Sequence, residues 1–450
     1  MIKLFNYQIE AQAWLMSKHK ALLSLSMGLG KTCVTITALE KLNLKTALII
    51  VPAILRSNWE AEVTKFSSLT PNIPKTWIDI KKDHLNIVSY EFALNNATKL
   101  PKEFDAIVCD ESHYLKNPKS KRTQVILGSK GIVHRAKRIW LLTGTPAPNN
   151  AAELWPMLFT FGQTTFKYNE FVQTYCEFYE NAWGAVIITR LKPQAHLAIR
   201  KMLEPIMYQR TKEDVALDLP PISYHKLILK QKKITLSQIE INKDLREMFL
   251  SDSTPEELFT KLKQEELEFQ KMLDLPNEID VMNALSTRSQ GVSTIRRYLG
   301  IQKAIEILPL IVDELENNTY QKIVIFAVHT KIVEYMTKNL KEFKAKSLYG
   351  ATSTADRDLA VKAFQESDCR VLVCGISAAG VGLNLTRGSE VLMLELAFTP
   401  AYNSQAVMRC HRIGQKNNVR VRFVEMKDSL DSRITEILSR KSLENELIFN

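Results

Sequence analysis

The sequence predicts an α/β protein built from two parallel-sheet domains with helices on their faces, and three observations predict it. Apolar runs bounded by turns alternate with helical patterns from Ala21 to about Thr145. A glycine-containing loop, Leu25–Thr32 (LSMGLGKT), joins the apolar run Ala21–Leu23 to a helix-compatible run, Cys33–Leu39. A second α/β pattern begins at Lys322, after a strand-poor stretch.

A chain of 450 residues is long enough for two or three domains with real cores. Its 45% hydrophobic and 24% charged content is ordinary for a globular protein. A net charge of +11 suggests a polyanionic partner. Basic residues also cluster at Lys116–Arg122, Lys130–Arg138 and Arg409–Arg422, each of which alone reads as a solvated face. The six cysteines form no C-x-x-C pair, which argues against a zinc module or a disulfide framework and fits a reducing compartment. The first residues lack the plan of a signal peptide, and the apolar run Ala47–Leu55 contains Pro52 and is too short to span a bilayer. The expectation is a cytoplasmic protein, bacterial or from a phage-infected host, with no membrane partner.

Leu4–Gln8 leads into Ile9–Met16, where apolar residues recur at helical spacing. The Gln8 amide both donates and accepts, as adenine recognition requires, but an exposed helix-start glutamine is the plainer reading. In the loop itself, backbone N–H groups left open at a helix N-terminus suit phosphate oxygens, and the helix dipole favours their charge. Gly28 and Gly30 remove Cβ atoms that would hold backbone away from phosphate. Lys31 would meet the β- and γ-phosphates, and the Thr32 hydroxyl would ligate Mg²⁺. The strict template asks for glycine at the first position, where Leu25 stands.

Thr46–Val51 reads as a buried parallel strand ending at Pro52, Ile87–Tyr90 as a shorter strand, and Phe104–Cys109 as another running into Asp110-Glu111-Ser112-His113. An acidic pair at the carboxyl end of a core strand is where such a sheet places its chemistry. Asp110 is suited to hold Mg²⁺ through water and Glu111 to polarise the attacking water, against the plainer reading of a strand-end turn. Arg138–Leu142 is a further strand, ending in the turn Thr143-Gly144-Thr145-Pro146.

Residues 151–219 read as helical and aromatic, and Leu219-Pro220-Pro221 as a linker. Ile234 to about Asn318 reads as charge-rich helix, with patterning around Glu256–Met272 and Ile301–Leu315. In the second α/β pattern Lys322–Ala327, Arg370–Cys374 and Val391–Leu394 are strands, and Lys331–Leu340 and Ser353–Phe364 are helices. No second phosphate loop is present. Arg409 and Arg412 lie three apart, which would put them on one helix face and let them reach a γ-phosphate held by the other half. A solvated basic helix, or a contact to a phosphate backbone, is the alternative.

Together these strings resemble the Swi/Snf-like ATPases of helicase superfamily two. They are NYQIEAQAWL, MGLGKT, ALIIVPAILRSNWEAE, IVSYE, DESHYLKNPKSKR, LLTGTPAPNNAAELW, YQRTKEDVALDLPP, KIVIFAVHT, LYGATSTADRDLAVKAFQ, ISAAGVGLNLT and QAVMRCHRIGQ, in the family's order over nearly the whole chain. DESH, TGTPAP, and Ile376–Asn384 followed by Glu395 look most like the annealing-helicase (HepA-related) branch. The resemblance implies two RecA-like lobes, each a parallel sheet flanked by helices, with helical protrusions between them. Lobe one would cover 1–220, with its protrusion at about 151–219. Lobe two would cover 221–450, with a helical lead-in at about 232–318 and a core at about 319–430.

The resemblance also implies roles. Gln8 would recognise adenine, and Met27, Gly28, Leu29, Gly30, Lys31 and Thr32 would form the phosphate cradle. Asp110 and Glu111 would be the metal and water residues. His113, Gly144 and Thr145 would couple nucleotide to DNA. Gly382 and the residues beside it would sense both DNA and nucleotide, Gln405, Arg409 and Arg412 would complete the site from lobe two, and Pro52, Ser89 and the turn near Thr386 would touch the DNA backbone. Three departures stand out. Leu25 and Ser26 replace a common Asp-Glu, Met408 replaces a common Asp, and the chain ends at Asn450 with no zinc module or nuclease motif, as a bare motor core would.

The implied activity is an ATP- and Mg²⁺-dependent translocase on double-stranded or forked DNA, a monomeric motor core working with accessory replication or recombination proteins. The rivals are a strand-separating DNA or RNA helicase and a non-hydrolysing ATP-gated clamp. A P-loop kinase would not explain a second α/β half without its own loop.

Overall fold

The computed structural model describes residues 4–180, 186–212, 214–215, 219–230, 289–379, 383–412 and 414–427, with short pieces in 254–264 and 429–448. Gly382 and most of Glu256–Met272 lie outside the described residues. The chain divides into two compact units, one of Met1–Tyr179, Ile188–Asp218 and Lys441–Asn450, the other of Glu180–Ile187 and Leu219–Arg440.

The first unit runs α1 (Asn6–Ser17), β1 (Lys20–Leu25), α2 (Lys31–Lys41), β2 (Ala47–Val51), α3 (Arg56–Phe66), β3 (Pro71–Asn72), β4 (Leu85–Ser89), α4 (Tyr90–Asn96), β5 (Phe104–Asp110), α5 (Lys121–Leu127) and β6 (Ala136–Leu142). Then come α6 (Trp155–Phe161), α7 (Tyr168–Tyr175), β7 (Cys176–Glu180), β8 (Val186–Leu191), α8 (Ala195–Leu203) and β9 (Met207–Arg210). Strands β2 and β4 are buried at every position, as strands covered on both faces by helices must be. The seven-stranded sheet has the order β3-β4-β2-β5-β6-β1-β9, and all its pairs are parallel. Leu22, Ile50, Val88, Ile107 and Leu141 from five of these strands meet in its core. The stretch 151–219, expected to be helical, also holds strands β7, β8 and β9. β9 is short and polar (MYQR), and only its pairing with β1 makes it a strand.

The second unit runs β10 (Ile222–Leu229), α9 (Ser289–Glu316), β11 (Ile323–Ala327), α10 (Thr330–Asn339), β12 (Lys346–Leu348), α11 (Thr354–Glu366), β13 (Val371–Gly375), α12 (Ile376–Ala379), β14 (Glu390–Met393), α13 (Pro400–Val407) and β15 (Val419–Met426). Its six-stranded sheet, β10-β15-β14-β11-β13-β12, is again parallel throughout. Two hydrophobic clusters draw alternate residues from its strands, Ile323 and Ile325 in one, Val324 and Phe326 in the other. Alternate residues face opposite ways, so each cluster covers one face of the sheet. Two parallel sheets flanked by helices are the fold class the sequence predicts. Among the described residues no helix is long and apolar enough to cross a membrane.

Candidate functional site

All strands of the first sheet run the same way, so the segments leaving β1, β2, β4, β5 and β6 emerge at one edge. In that order they carry the glycine-containing loop, Pro52, Ser89, Asp110–Glu111 and Thr143–Thr145. Parallel pairing gathers residues that lie far apart in the chain.

The loop between β1 and α2 turns through left-handed backbone at Gly28 (φ 87°) and Gly30 (φ 82°), which only glycine adopts without strain. A Cβ on Gly30 would stand 2.5 Å from Gln8 Nε2. Gln8 is buried. Its Oε1 accepts from the Phe5 N–H (3.0 Å) and its Nε2 donates to the Leu29 carbonyl (3.1 Å), so it is not the exposed glutamine of the plainer reading. Lys31 Nζ donates to the Leu25 carbonyl at 2.8 Å. The departure at Leu25 therefore offers the loop only main chain, while its side chain is wholly buried in the sheet. Gly144 lies against the same loop: a Cβ there would stand 3.4 Å from both Lys31 Nζ and Met27 Cγ.

Asp110 closes β5 and is almost fully buried. Its Oδ2 accepts from the Trp59 indole (2.8 Å) and its Oδ1 from the Glu111 N–H (2.9 Å). Burial first, then the neighbouring Glu111 charge, pushes its pKa up to about 6, against the opposing pull of the Trp59 hydrogen bond and the Lys31 charge. A buried carboxylate that disfavours its own charge is relieved by a cation. The Asp110 carboxylate and the Thr32 hydroxyl are the hard oxygen donors that Mg²⁺ takes.

The folded pKa of Asp110 lies above the unfolded one, so the carboxylate lowers stability as pH rises from about 4 to about 6, by roughly 1–3 kcal/mol. The check is urea denaturation without divalent metal of the natural chain and Asp110→Asn. Between pH 4 and pH 7 the difference between them should move by that amount in favour of the variant, and Mg²⁺ should reverse it.

Glu111 adopts left-handed backbone (φ 49°, ψ 49°), a strain of about 1–3 kcal/mol in a residue with a side chain. Its Oε2 lies 3.3 Å from Nδ1 of the buried His113, which lies 3.2 Å from Thr143 Oγ1. The Thr143 hydroxyl in turn accepts from the Thr145 N–H at 3.1 Å. A line of contacts thus joins the acid to the turn after β6. Thr143 belongs to the Thr-Gly-Thr turn that the sequence singles out, and the Trp59 contact is one the sequence does not suggest. Thr143 was signalled by its place between an apolar strand and a glycine turn, whereas Trp59 reads simply as core. Ser89 is buried, and its Oγ accepts from the Phe92 N–H (3.0 Å) to cap α4.

In the second unit, α13 ends at Val407, so Arg409 and Arg412 lie beyond it in turns and do not share a helix face. The segment bonds instead to residues far away in the chain. The Arg409 carbonyl accepts from the Leu385 N–H (3.0 Å), and Arg412 Nη1 donates to the Leu383 carbonyl (3.2 Å). These bonds lace the arginine segment to the turn bearing Thr386. Gln365, which the sequence reading missed, holds that turn from α11 by donating to Thr386 Oγ1 (3.3 Å) and accepting from the Arg387 N–H (3.0 Å). Gln405 and Arg409 are buried.

The SNF2-related domain matches residues 7–275, and the helicase conserved C-terminal domain matches residues 303–414. Human "DNA annealing helicase and endonuclease ZRANB3" is 27% identical, over 98% of this chain and 40% of its own length. The Caenorhabditis elegans "SWI/SNF-related matrix-associated actin-dependent regulator of chromatin subfamily A-like protein 1 homolog" is 28% identical, over 98% of this chain and 61% of its own. "ATP-dependent DNA helicase DDM1" of Arabidopsis thaliana is 27% identical, over 99% and 62%. The chain thus spans less than two thirds of the length of these relatives. A solved structure, "Sulfolobus solfataricus SWI2/SNF2 ATPase core in complex with dsDNA", is similar at 22% identity and a TM-score of 0.44, over 99% of this chain and 93% of that one. With its phosphate loop, its acidic strand end and a family match over more than half its length, the chain belongs to the SNF2-related, helicase-like ATPases.

Proposed function

We propose that the chain couples ATP hydrolysis to movement along double-stranded DNA, and so remodels or anneals DNA or displaces bound proteins without separating strands. The observation that carries this reading is the single sheet edge that holds the phosphate loop, Asp110, Glu111 and the His113–Thr143–Thr145 line beside Pro52 and Ser89. The net charge of +11 suits sequence-independent contact with phosphates. The names of the relatives, an annealing helicase and an ATP-dependent DNA helicase among them, support it.

In this reading the N–H groups at the start of α2 and Lys31 hold the β- and γ-phosphates, and Gln8 orients the base. Asp110 and Thr32 hold Mg²⁺, which when bound neutralises charge building on the phosphate oxygens. Glu111 takes a proton from the attacking water. Arg409 and Arg412 of the second lobe meet the γ-phosphate and bring it transition-state charge stabilisation. The turn at Gly144–Thr145 reports phosphate loss through Thr143 and His113. With the Ser89 hydroxyl committed to capping α4, the turns at Pro52, Ser89 and Thr386 meet the DNA backbone.

The test is steady-state ATPase activity alone and with duplex, forked and single-stranded DNA and with RNA. Duplex or forked DNA should stimulate most. Log affinity should fall linearly with log salt, with a slope of about −0.9 per phosphate contacted. Stimulation by single strands or RNA only would favour a strand-separating helicase. ATP bound but never hydrolysed would leave the gated clamp.

A further inference from the structure

Tyr90 is the first residue of α4, directly after Ser89, and is wholly buried. Its hydroxyl donates to the main-chain carbonyl of Asp110 at 2.7 Å. Its ring stacks on Tyr114, with centroids 5.4 Å apart and planes 11° from parallel. Tyr114 follows His113 and is 37% exposed. The Arg122 guanidinium lies over both rings, 5.5 Å from Tyr90 and 5.4 Å from Tyr114, and its Nη2 pairs with Glu91 at 2.9 Å. Among the described residues the Arg122 Nε meets no hydrogen-bond partner. From surface to centre, the order is an exposed ion pair, a ring stack, then a single directional bond to the strand end that carries Asp110.

We propose that Arg122, Tyr114 and Tyr90 form a relay by which a DNA phosphate outside sets the position of Asp110 inside. The relay rests on the DNA-translocase reading and adds positioning residues to it. An ion pair at the surface holds weakly, so phosphate oxygens can take the guanidinium from Glu91. The planar guanidinium fork suits phosphate, and it stays on the ring faces while it exchanges partners. Tyr114 and Tyr90 are rigid plates in contact, so a shift of one moves the other. Tyr90 passes that shift to the Asp110 carbonyl, which immediately precedes the left-handed Glu111. Core packing alone would be met by phenylalanine at position 90. The hydroxyl is what connects the stack to the acidic pair.

The experiment compares the unmodified chain with Tyr90→Phe and Tyr114→Ala in steady-state ATPase assays. ATP is titrated at fixed duplex DNA, and duplex at fixed ATP. In both variants the ratio of duplex-stimulated to basal kcat should fall about two- to tenfold, the worth of one hydrogen bond at Tyr90 and of one ring stack at Tyr114. The KM for ATP and the half-saturating duplex concentration should move less than about twofold, because neither change removes a group that binds ATP or phosphate. Arg122→Gln should lose stimulation and also require more duplex. If Tyr90→Phe does not fold, Tyr114→Ala carries the test on the same ratio. Full stimulation of the variants, or an equal fall of basal and stimulated rates, overturns the relay alone. An unmodified chain that no duplex stimulates overturns the DNA reading, and the relay with it.

Discussion

Replacing Glu111 by glutamine is expected to lower kcat by about 10²–10⁴, the worth of a positioned general base. Glutamine keeps the length and shape of the side chain and accepts the same left-handed backbone at similar strain. It also keeps an oxygen able to face His113, 3.3 Å from the present carboxylate. Only the capacity to take a proton is removed. Binding of ATP and of duplex DNA should therefore change by no more than about threefold. Single-turnover hydrolysis set beside equilibrium nucleotide binding makes the check. A kcat within tenfold of the natural chain's would remove Glu111 from the role of base.

Arg412→Ala should lower kcat by about 10³ or more, the lower end of what an arginine finger contributes. Arg412→Lys should rescue little of this. A planar fork that bonds two phosphate oxygens is not replaced by a point charge on a flexible stem. Nucleotide affinity should fall far less than kcat, because an arginine finger acts on charge that develops in the transition state. Arg412 donates to a main-chain carbonyl of its own lobe, at Leu383, so its loss also loosens the turn that carries Thr386. Melting temperature separates that effect from catalysis. A variant that melts normally and hydrolyses at the natural rate would show that the guanidinium never meets the γ-phosphate.

Much of the first lobe was legible because its chemistry is written in residue type. A glycine loop ending in Lys-Thr, and an acidic pair closing an apolar strand, announce themselves without a structure. Contacts between distant positions did not. The hydroxyl of Thr143 stands 3.2 Å from the His113 ring, and the Trp59 indole 2.8 Å from Asp110, yet neither pair has a local pattern. Strands β10 and β15 were hidden for another reason. β15 reads VRVRFVEM, and alternating arginines look like a solvated edge. Arg422 is nonetheless 5% exposed, because Glu314 (2.8 Å) and Glu390 (2.5 Å) neutralise it inside the fold. Ion pairing between distant elements overrides the hydrophobic pattern there. The arginines at 409 and 412 do not share a helix face: α13 ends at Val407, and the Arg409 carbonyl and the Arg412 guanidinium are bonded to Leu385 and Leu383, far away in the chain.

Strand β1, which delivers the phosphate loop, is flanked in its sheet by β6 and β9. Lys20 pairs with Ile139, and Leu22 with Met207. On a ribosome adding about 5–20 residues per second, the stretch between β1 and its second neighbour takes on the order of ten seconds to emerge. Through that interval the newborn chain carries a complete LSMGLGKT string on a strand that still lacks one of its two neighbours. Closing so long a loop is also entropically slow, since distant pairings must form before they are rewarded. The phosphate loop is thus complete in sequence long before its sheet is, and β1 becomes an interior strand only once β9 has been made.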